Sequence, residues 1–271
     1  MNQTIGTPLS EKKLFLLDMD GTIYLDDDLF PGTLPFLAQV KKNGGRYIFL
    51  TNNSSRGIDE YIKKLAKLGI DASADDFVSS VDVTIEYLLD NHRDDIVYSI
   101  GTRSFRAQLE AAGVHLTDDI NADIACFVSA FDTELTFEKI KNACIILGRD
   151  VDYIAANPDM VCPTAFGSVP DCGALSEMLY HSVKKMPRFI GKPEPDIVYH
   201  ALRVTGYEKK DAVVIGDRLY TDIACGNNAE IDSILVLSGE STLADLEKSD
   251  ARPTYVFDSI TDVCREISGG K

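Results

Sequence analysis

The chain of 271 residues has no tryptophan and only four histidines, and its 27 lysines and arginines are outnumbered by 43 aspartates and glutamates. The resulting formal charge of −16 argues against a general nucleic-acid binder, because phosphate contacts need clustered Lys and Arg. His92, His115, His181 and His200 are scattered singly, so neither a His-paired nucleophile nor a His-rich metal site stands out. No apolar run approaches the ~20 residues that span a bilayer. The polar stretch 1–10 lacks the apolar segment of a signal peptide, so a cytoplasmic location is the expectation. Cys126, Cys144, Cys162, Cys172, Cys225 and Cys264 show no C-x-x-C spacing, which favours free, buried or half-buried thiols over zinc or redox chemistry. So much negative charge also repels a small phosphate ester unless something local reverses the field.

What the chain does have is ordinary globular material, 45% hydrophobic and 26% charged, enough for one large domain or two smaller ones. Short apolar, β-branched runs at 14–17, 47–50, 96–100, 124–128, 153–155, 213–215, 234–237 and 255–257 read as strands buried on both faces. Helical patterns at 34–43, 59–68, 105–112, 137–147 and 196–205 alternate with them, each running into a glycine. This alternation predicts an α/β fold with a doubly wound parallel sheet. In such sheets ligands bind beyond the carboxyl ends of the strands, so polar residues directly after a strand are the ones to inspect.

Three strands run into unusual polar clusters. The first leads into Asp18-Met19-Asp20-Gly21-Thr22. Carboxylates this close repel unless a cation sits between them or one is protonated, and a hard ion such as Mg²⁺ suits a few carboxylates. The alternative is a solvated acidic turn, the reading given to Asp26-Asp27-Asp28. A later strand enters Gly216-Asp217, with Asp222 one short loop on. Asp222 is either a further metal-site carboxylate or a turn or N-cap residue. Thr51-Asn52-Asn53-Ser54-Ser55 can hold a phosphoryl oxygen just before a helix, while Ser54 or Ser55 suits a plain N-cap. Lys192, between Gly191 and Pro193, is not a Walker A lysine; the alternatives are a solvated surface charge, as an isolated Lys usually is, and a fixed cation, for which a turn flanked by Gly and Pro places it better than most.

In this order, each after a strand, these four segments resemble the haloacid dehalogenase (HAD) superfamily of aspartate-nucleophile phosphatases, over essentially the whole chain. The resemblance implies a Rossmann-like core and phosphoryl transfer in which Asp18 attacks phosphorus. It makes Asp20 the acid for the leaving group and then the base for water. It implies Mg²⁺ held by the Asp18 carboxylate, the Asp20 main-chain carbonyl and Asp217, with Asp222 in support. Thr51 and Lys192 are then the phosphoryl-oxygen contacts, with Asn52 and Asn53 beside Thr51.

The long gap between Thr51 and Lys192 carries its own strands and helices. We read 81–185 as an inserted, smaller α/β cap that covers the site and selects substrate, and 1–80 with 186–271 as the discontinuous core. This insertion, with the phrase from Gly21-Thr22-Ile23-Tyr24 to Phe30-Pro31-Gly32, is similar to the class IIA enzymes, the NagD-like and 4-nitrophenylphosphatase-like phosphatases. Ala156-Asn157-Pro158-Asp159 is similar to an Asn-Pro-Asp phrase of that group, and makes Asn157 a candidate contact to the leaving group. The alternative is a simple strand-to-turn transition fixed by Pro158. Residues 163–173, rich in small residues, Gly and Pro, suggest an adaptable loop nearby. The implied partner is a small phosphorylated metabolite, such as a sugar phosphate, phosphoglycolate, glycerol phosphate or nucleoside monophosphate. No membrane or nucleic-acid polymer is implied. Related enzymes often form homodimers through the cap, and no face for this is evident from the residues. The competing functions are transfer to an acceptor other than water, as in a phosphomutase, and non-catalytic binding of a phosphometabolite.

Overall fold

Leu14–Leu17 is buried at every position, as a central strand covered on both faces requires. In the computed structural model, which describes residues 8–164 and 166–269, this strand lies within a six-stranded sheet. Its order is Tyr255–Phe257, Asp232–Val236, Ala212–Gly216, Leu14–Leu17, Arg46–Thr51 and Phe77–Ser79. Each neighbouring pair from Tyr255–Phe257 to Arg46–Thr51 is parallel. Chain order reverses about Leu14–Leu17: the next core strand pairs on one side of it and the later Ala212–Gly216 on the other. The first seven positions of the polar 1–10 stretch lie outside the described residues, as does Ala165 in the 163–173 segment.

A second parallel sheet has the order Arg188–Phe189, Asp152–Ala155, Ile124–Ser129, Ile96–Ile100, His115–Thr117. Helices Phe137–Leu147 and Cys172–Val183 contact each other and supply Ile146 and Leu179 to a core with Tyr98, Phe127 and Tyr153. The fold is thus mixed α/β with parallel sheets, as the alternating pattern predicts. The chain divides into two compact units. One holds the described residues up to Thr51, Tyr61–Val78 and those from Lys192 onward; the other holds Asn52–Glu60 and Ser79–Gly191. No helix among the described residues is long and apolar enough to cross a membrane. The six cysteines are free, with Cys126, Cys172 and Cys225 buried.

Local chemistry explains several helix ends. Helix Ser80–Asn91 starts at a reciprocal cap, in which Ser79 accepts from the Asp82 N–H and Asp82 accepts from the Ser79 N–H. Gly206 closes helix Asp196–Thr205 in the left-handed region, at φ 75°. Gly148 departs from that pattern, ending its helix at φ −70°. Asp26 to Asp28 are exposed at a small hairpin, Tyr24–Leu25 with Asp28–Leu29, in keeping with an acidic turn. The 163–173 segment is not a loop. Val161–Thr164 pairs antiparallel with Gly167–Pro170, and helix Cys172–Val183 follows. This ribbon is largely exposed on both strands, so it has no buried face to leave an apolar signature in the sequence.

Asp171 caps helix Cys172–Val183 by accepting from the Cys172 N–H. Burial pushes its carboxyl up from 3.8 to about 7, with Asp159 adding to the effect and the Cys172 N–H and Asn157 side chain opposing it. The folded state therefore holds this proton more tightly than the unfolded chain does. The stability this provides is complete below the unfolded value of 3.8 and is lost as pH rises through about 7. Asp171→Asn keeps a competent cap, so it should gain stability relative to wild type as pH is raised from about 5 to about 8. The gain should be on the order of 1–3 kcal/mol, since a tenfold change in proton affinity is worth about 1.4 kcal/mol. Urea unfolding at each pH checks this, and a pH-independent difference would rule out the buried carboxyl as its source.

Candidate active site

The register Leu17↔Ile215 and Leu17↔Phe49 aligns the carboxyl ends of three adjacent strands. Asp18, Thr51 and Asp217 follow or finish those strands, where the chain order reverses and open sheets form ligand crevices. The Asp18 N–H continues the ladder by donating to Ile215 O at 2.9 Å. Asp222 arrives from the π-helical turn Leu219–Ile223, and its Oδ2 accepts from the Arg218 N–H at 3.2 Å. One carboxylate oxygen from each of Asp18, Asp217 and Asp222 lies within 4.8 Å of the others. Two glycines permit this convergence. A Cβ on Gly216 would lie 2.3 Å from the Asp222 side chain, and one on Gly21 would lie 2.5 Å from Asp217 Oδ2.

Lys192 supplies the nearest opposite charge: its Nζ donates to Asp18 Oδ1 at 2.6 Å and to Asp222 Oδ1 at 2.7 Å. Burial, then repulsion from Asp222 and Asp217, pushes the Asp18 carboxyl up to about 7, although Lys192 pulls the other way. Burial and Asp222 likewise raise Asp217 to about 6, against the Glu240 N–H and Arg218. For Lys192 burial disfavours the charge, but Asp18 and Asp222 outweigh it and hold the ammonium above its ordinary range. One ammonium among three clustered carboxylates leaves excess negative charge in a set of hard oxygen donors. That is the chemistry a divalent cation satisfies.

Asp20 contributes differently. Its carboxylate is not in the clustered set, and its main chain forms a bridge to Tyr24. Burial raises its pKa, Asp26 adds to this, and Lys64 and Arg218 counter it. Thr51 is buried, with its hydroxyl 3.4 Å from the Tyr61 hydroxyl.

Asn52, Asn53 and Asn157 belong to the other unit, where Asn157 is hydrogen-bonded to Asn52. Asn157 is completely buried. Its Nδ2 donates to Asn52 O at 2.8 Å and Ser54 Oγ at 3.3 Å, and its Oδ1 accepts from the Asp159 N–H at 3.0 Å. That commits its amide to the backbone following Thr51. Asn52 Nδ2 donates to Asp159 Oδ1 at 3.2 Å, and Asn53 Oδ1 accepts from the Ser55 N–H at 2.9 Å. Ser54 is not a helix cap, because its hydroxyl accepts from the Phe131 N–H at 2.9 Å. Ser80 and Thr102 complete the clamp by donating to Asn52 O and Ser55 O, each at 2.9 Å.

Several of these partners escape sequence reasoning. Ser54, Ser80 and Thr102 contact distant backbone through their hydroxyls, which leaves no local pattern, although Thr102 also carries a local signal as the cap that accepts from the Phe105 N–H. Ser238-Gly239-Glu240-Ser241 is different, since it follows strand Asp232–Val236 and the strand-end rule that selects Asp18 and Asp217 also reaches it. Its Glu240 N–H donates to Asp217 Oδ2 at 2.7 Å.

Comparison with known proteins identifies the same family that the four segments resemble. Residues 15–115 match the family model of haloacid dehalogenase-like hydrolases, and residues 189–263 match a HAD-hydrolase-like model. An acid sugar phosphatase of Staphylococcus haemolyticus is 33% identical over 94% of this chain and 96% of its own length. The solved 4-nitrophenylphosphatase of Thermotoga maritima superposes with a TM-score of 0.90 at 40% identity, covering 96% of this chain and 98% of that one. A glycerol phosphate phosphatase of Mycobacterium tuberculosis, solved in complex with calcium, gives 0.88 at 27% identity, covering 95% and 76% respectively. The chain belongs to the haloacid dehalogenase-like hydrolases, and within them to the class IIA phosphatases. It is a phosphoric monoester hydrolase.

Replacing Lys192 with Met strands Asp18 and Asp222 without their shared cation. The chelator-treated protein should lose about 3–5 kcal/mol, the usual cost of breaking a buried ion pair from one side. The loss should shrink at low pH, where the high pKa of Asp18, about 7, lets it take up a proton. Denaturant unfolding of both proteins at acid pH and at about pH 9, well above the Asp18 value, measures it, and a loss below about 1 kcal/mol at the higher pH would remove Lys192 from this role.

Proposed function

We propose that the protein is a Mg²⁺-dependent phosphatase of small phosphomonoesters that works through an aspartyl-phosphate on Asp18. The observation that carries this reading is the meeting of Asp18, Asp217 and Asp222 around Lys192 at the strand ends. The Asp18 carboxylate oxygen attacks phosphorus in line with the ester oxygen, and the phosphorus–ester bond breaks. Asp20 gives its proton to the departing alkoxide, a role supported by the burial that raises its pKa. In the second step Asp20 takes a proton from water, which attacks the same phosphorus. The bond to Asp18 then breaks and inorganic phosphate leaves.

Thr51 and Lys192 bind the phosphoryl oxygens, with Asn52 and Asn53 continuing that loop. The carboxylates of Asp18, Asp217 and Asp222 and the Asp20 carbonyl would hold Mg²⁺, which when bound offsets phosphoryl charge and keeps Asp18 ionised. Asn157 acts through the Asn52 main chain it holds, rather than on the leaving group. The inserted unit chooses among leaving groups, and we assign it to hydroxyl-rich ones of the sugar-phosphate and glycerol-phosphate class. Relatives named for those activities support that choice.

Asp18→Asn should abolish turnover of 4-nitrophenyl phosphate, as should chelation of Mg²⁺; normal turnover by the variant refutes the nucleophile. Asp20→Asn should slow a sugar phosphate by about 10²–10⁴-fold. It should slow the aryl ester much less, because nitrophenolate departs without a proton. The loss in kcat/KM on the two esters, which reports ester cleavage and not the shared hydrolysis of the aspartyl-phosphate, separates these outcomes, and equal losses in it would contradict the acid role. A phosphometabolite panel ranked by kcat/KM tests the substrate class.

A further inference from the structure

We propose that Glu240 is a positioning residue for the Asp217 carboxylate, a clasp that ties the loop after strand Asp232–Val236 to the turn carrying the metal-site carboxylates. The inference rests on the reading of Asp217 as a holder of the divalent cation.

Glu240 is used at both ends. Its main-chain N–H donates to Asp217 Oδ2 at 2.7 Å. Its side chain turns the other way: Oε2 lies 2.8 Å from Arg218 Nε, and Oε1 accepts from the Tyr220 hydroxyl at 2.8 Å. Arg218 and Tyr220 flank Leu219, which is buried against Ile223 and Leu235, so both anchors stand on a packed turn. Asp217 directly precedes Arg218, the residue that caps that turn, and the contacts close a ring.

Neighbouring bonds tighten the ring. The Ser241 N–H donates to Asp217 O at 3.2 Å, and Ser241 Oγ accepts from the Leu219 N–H at 3.2 Å. Ser238 Oγ donates to Gly21 O at 2.8 Å, and Thr22 Oγ1 lies 3.4 Å from Asp217 Oδ1. The loop passes so close that a Cβ on Gly239 would sit 2.1 Å from Asp217 Oδ2. A half-exposed ion pair such as Arg218–Glu240 contributes little to stability on its own. Its leverage comes from the amide it holds, since partners that orient a metal-holding carboxylate typically govern affinity by about 10–100-fold.

Calorimetric titration of MgCl₂ into chelator-stripped protein, without substrate, reads this directly. Glu240→Ala should bind Mg²⁺ about 10-fold or more weakly, and Tyr220→Phe, which loses one anchor, a few-fold weakly. Arg218→Gln is the decisive variant. Arg218 is a cation beside Asp18 and Asp217, so pure electrostatics makes its removal tighten Mg²⁺ binding, whereas loss of the clasp weakens it. The Glu240→Ala/Arg218→Gln double variant should bind no more weakly than the weaker single one, because both remove the same pair. Wild-type affinity in Glu240→Ala, tighter binding by Arg218→Gln, or additive losses each overturn the clasp while leaving the phosphatase reading intact. A wild-type protein that binds no Mg²⁺ overturns both. Should Glu240→Ala fail to fold by near-ultraviolet circular dichroism, Arg218→Gln and Tyr220→Phe decide the matter.

Discussion

Three carboxylates forced together at the ends of parallel strands are the constraint on which the rest of this protein depends. Asp18, Asp217 and Asp222 present oxygens within 4.8 Å of one another. Like charges about 4 Å apart repel by roughly 4 kcal/mol at an effective dielectric near 20. Burial first, and this repulsion after it, raises Asp18 to about 7 and Asp217 to about 6. Lys192 relieves part of it through its bonds to Asp18 and Asp222. The framework that holds the groups together is stiff: a buried parallel sheet, with glycine at positions 21 and 216 where any side chain would collide with a carboxylate.

The same constraint resolves the conflict between a charge of −16 and a phosphorylated substrate. The acidity that matters chemically is concentrated in one centre, where an ammonium already sits and hard oxygen donors suit a divalent cation. Other acidic residues, such as Asp26 and Asp27 on their hairpin, face solvent, where screening over about 8–10 Å limits their reach. Local field and net charge therefore have opposite consequences for a small anion.

Much of the main sheet was legible because its strands are short, apolar and bounded by polar or glycine residues. The run at 14–17 coincides with the observed Leu14–Leu17, and the run at 213–215 with Ala212–Gly216. Elements without that signature were not legible. The Val161–Thr164 and Gly167–Pro170 ribbon is largely exposed and carries two prolines, so its composition reads as loop. Helix stops were legible only in part, since Gly206 is left-handed and Gly148 is not. Within the site, charged residues at strand ends declared themselves by their cost. Asn157 could be singled out, but not its engagement with the main chain of Asn52, which lies far away in sequence.

What the sequence by itself determined was the set of chemical groups and their attachment to strand ends, because side-chain periodicity and turn residues act locally. It thereby determined the α/β class and the strand-end carboxylates and lysine, whereas the nucleophile and acid roles rest on the family that those segments resemble. Tertiary structure alone decided which oxygens meet and which amide steadies each. It also decided that Asn52–Glu60 packs with Ser79–Gly191 rather than with the strand that precedes it. Those outcomes depend on contacts between residues far apart in the chain, such as Lys192 with Asp18 and Glu240 with Asp217. Such contacts are fixed by the register of the sheet and the close packing around it, which no local pattern encodes.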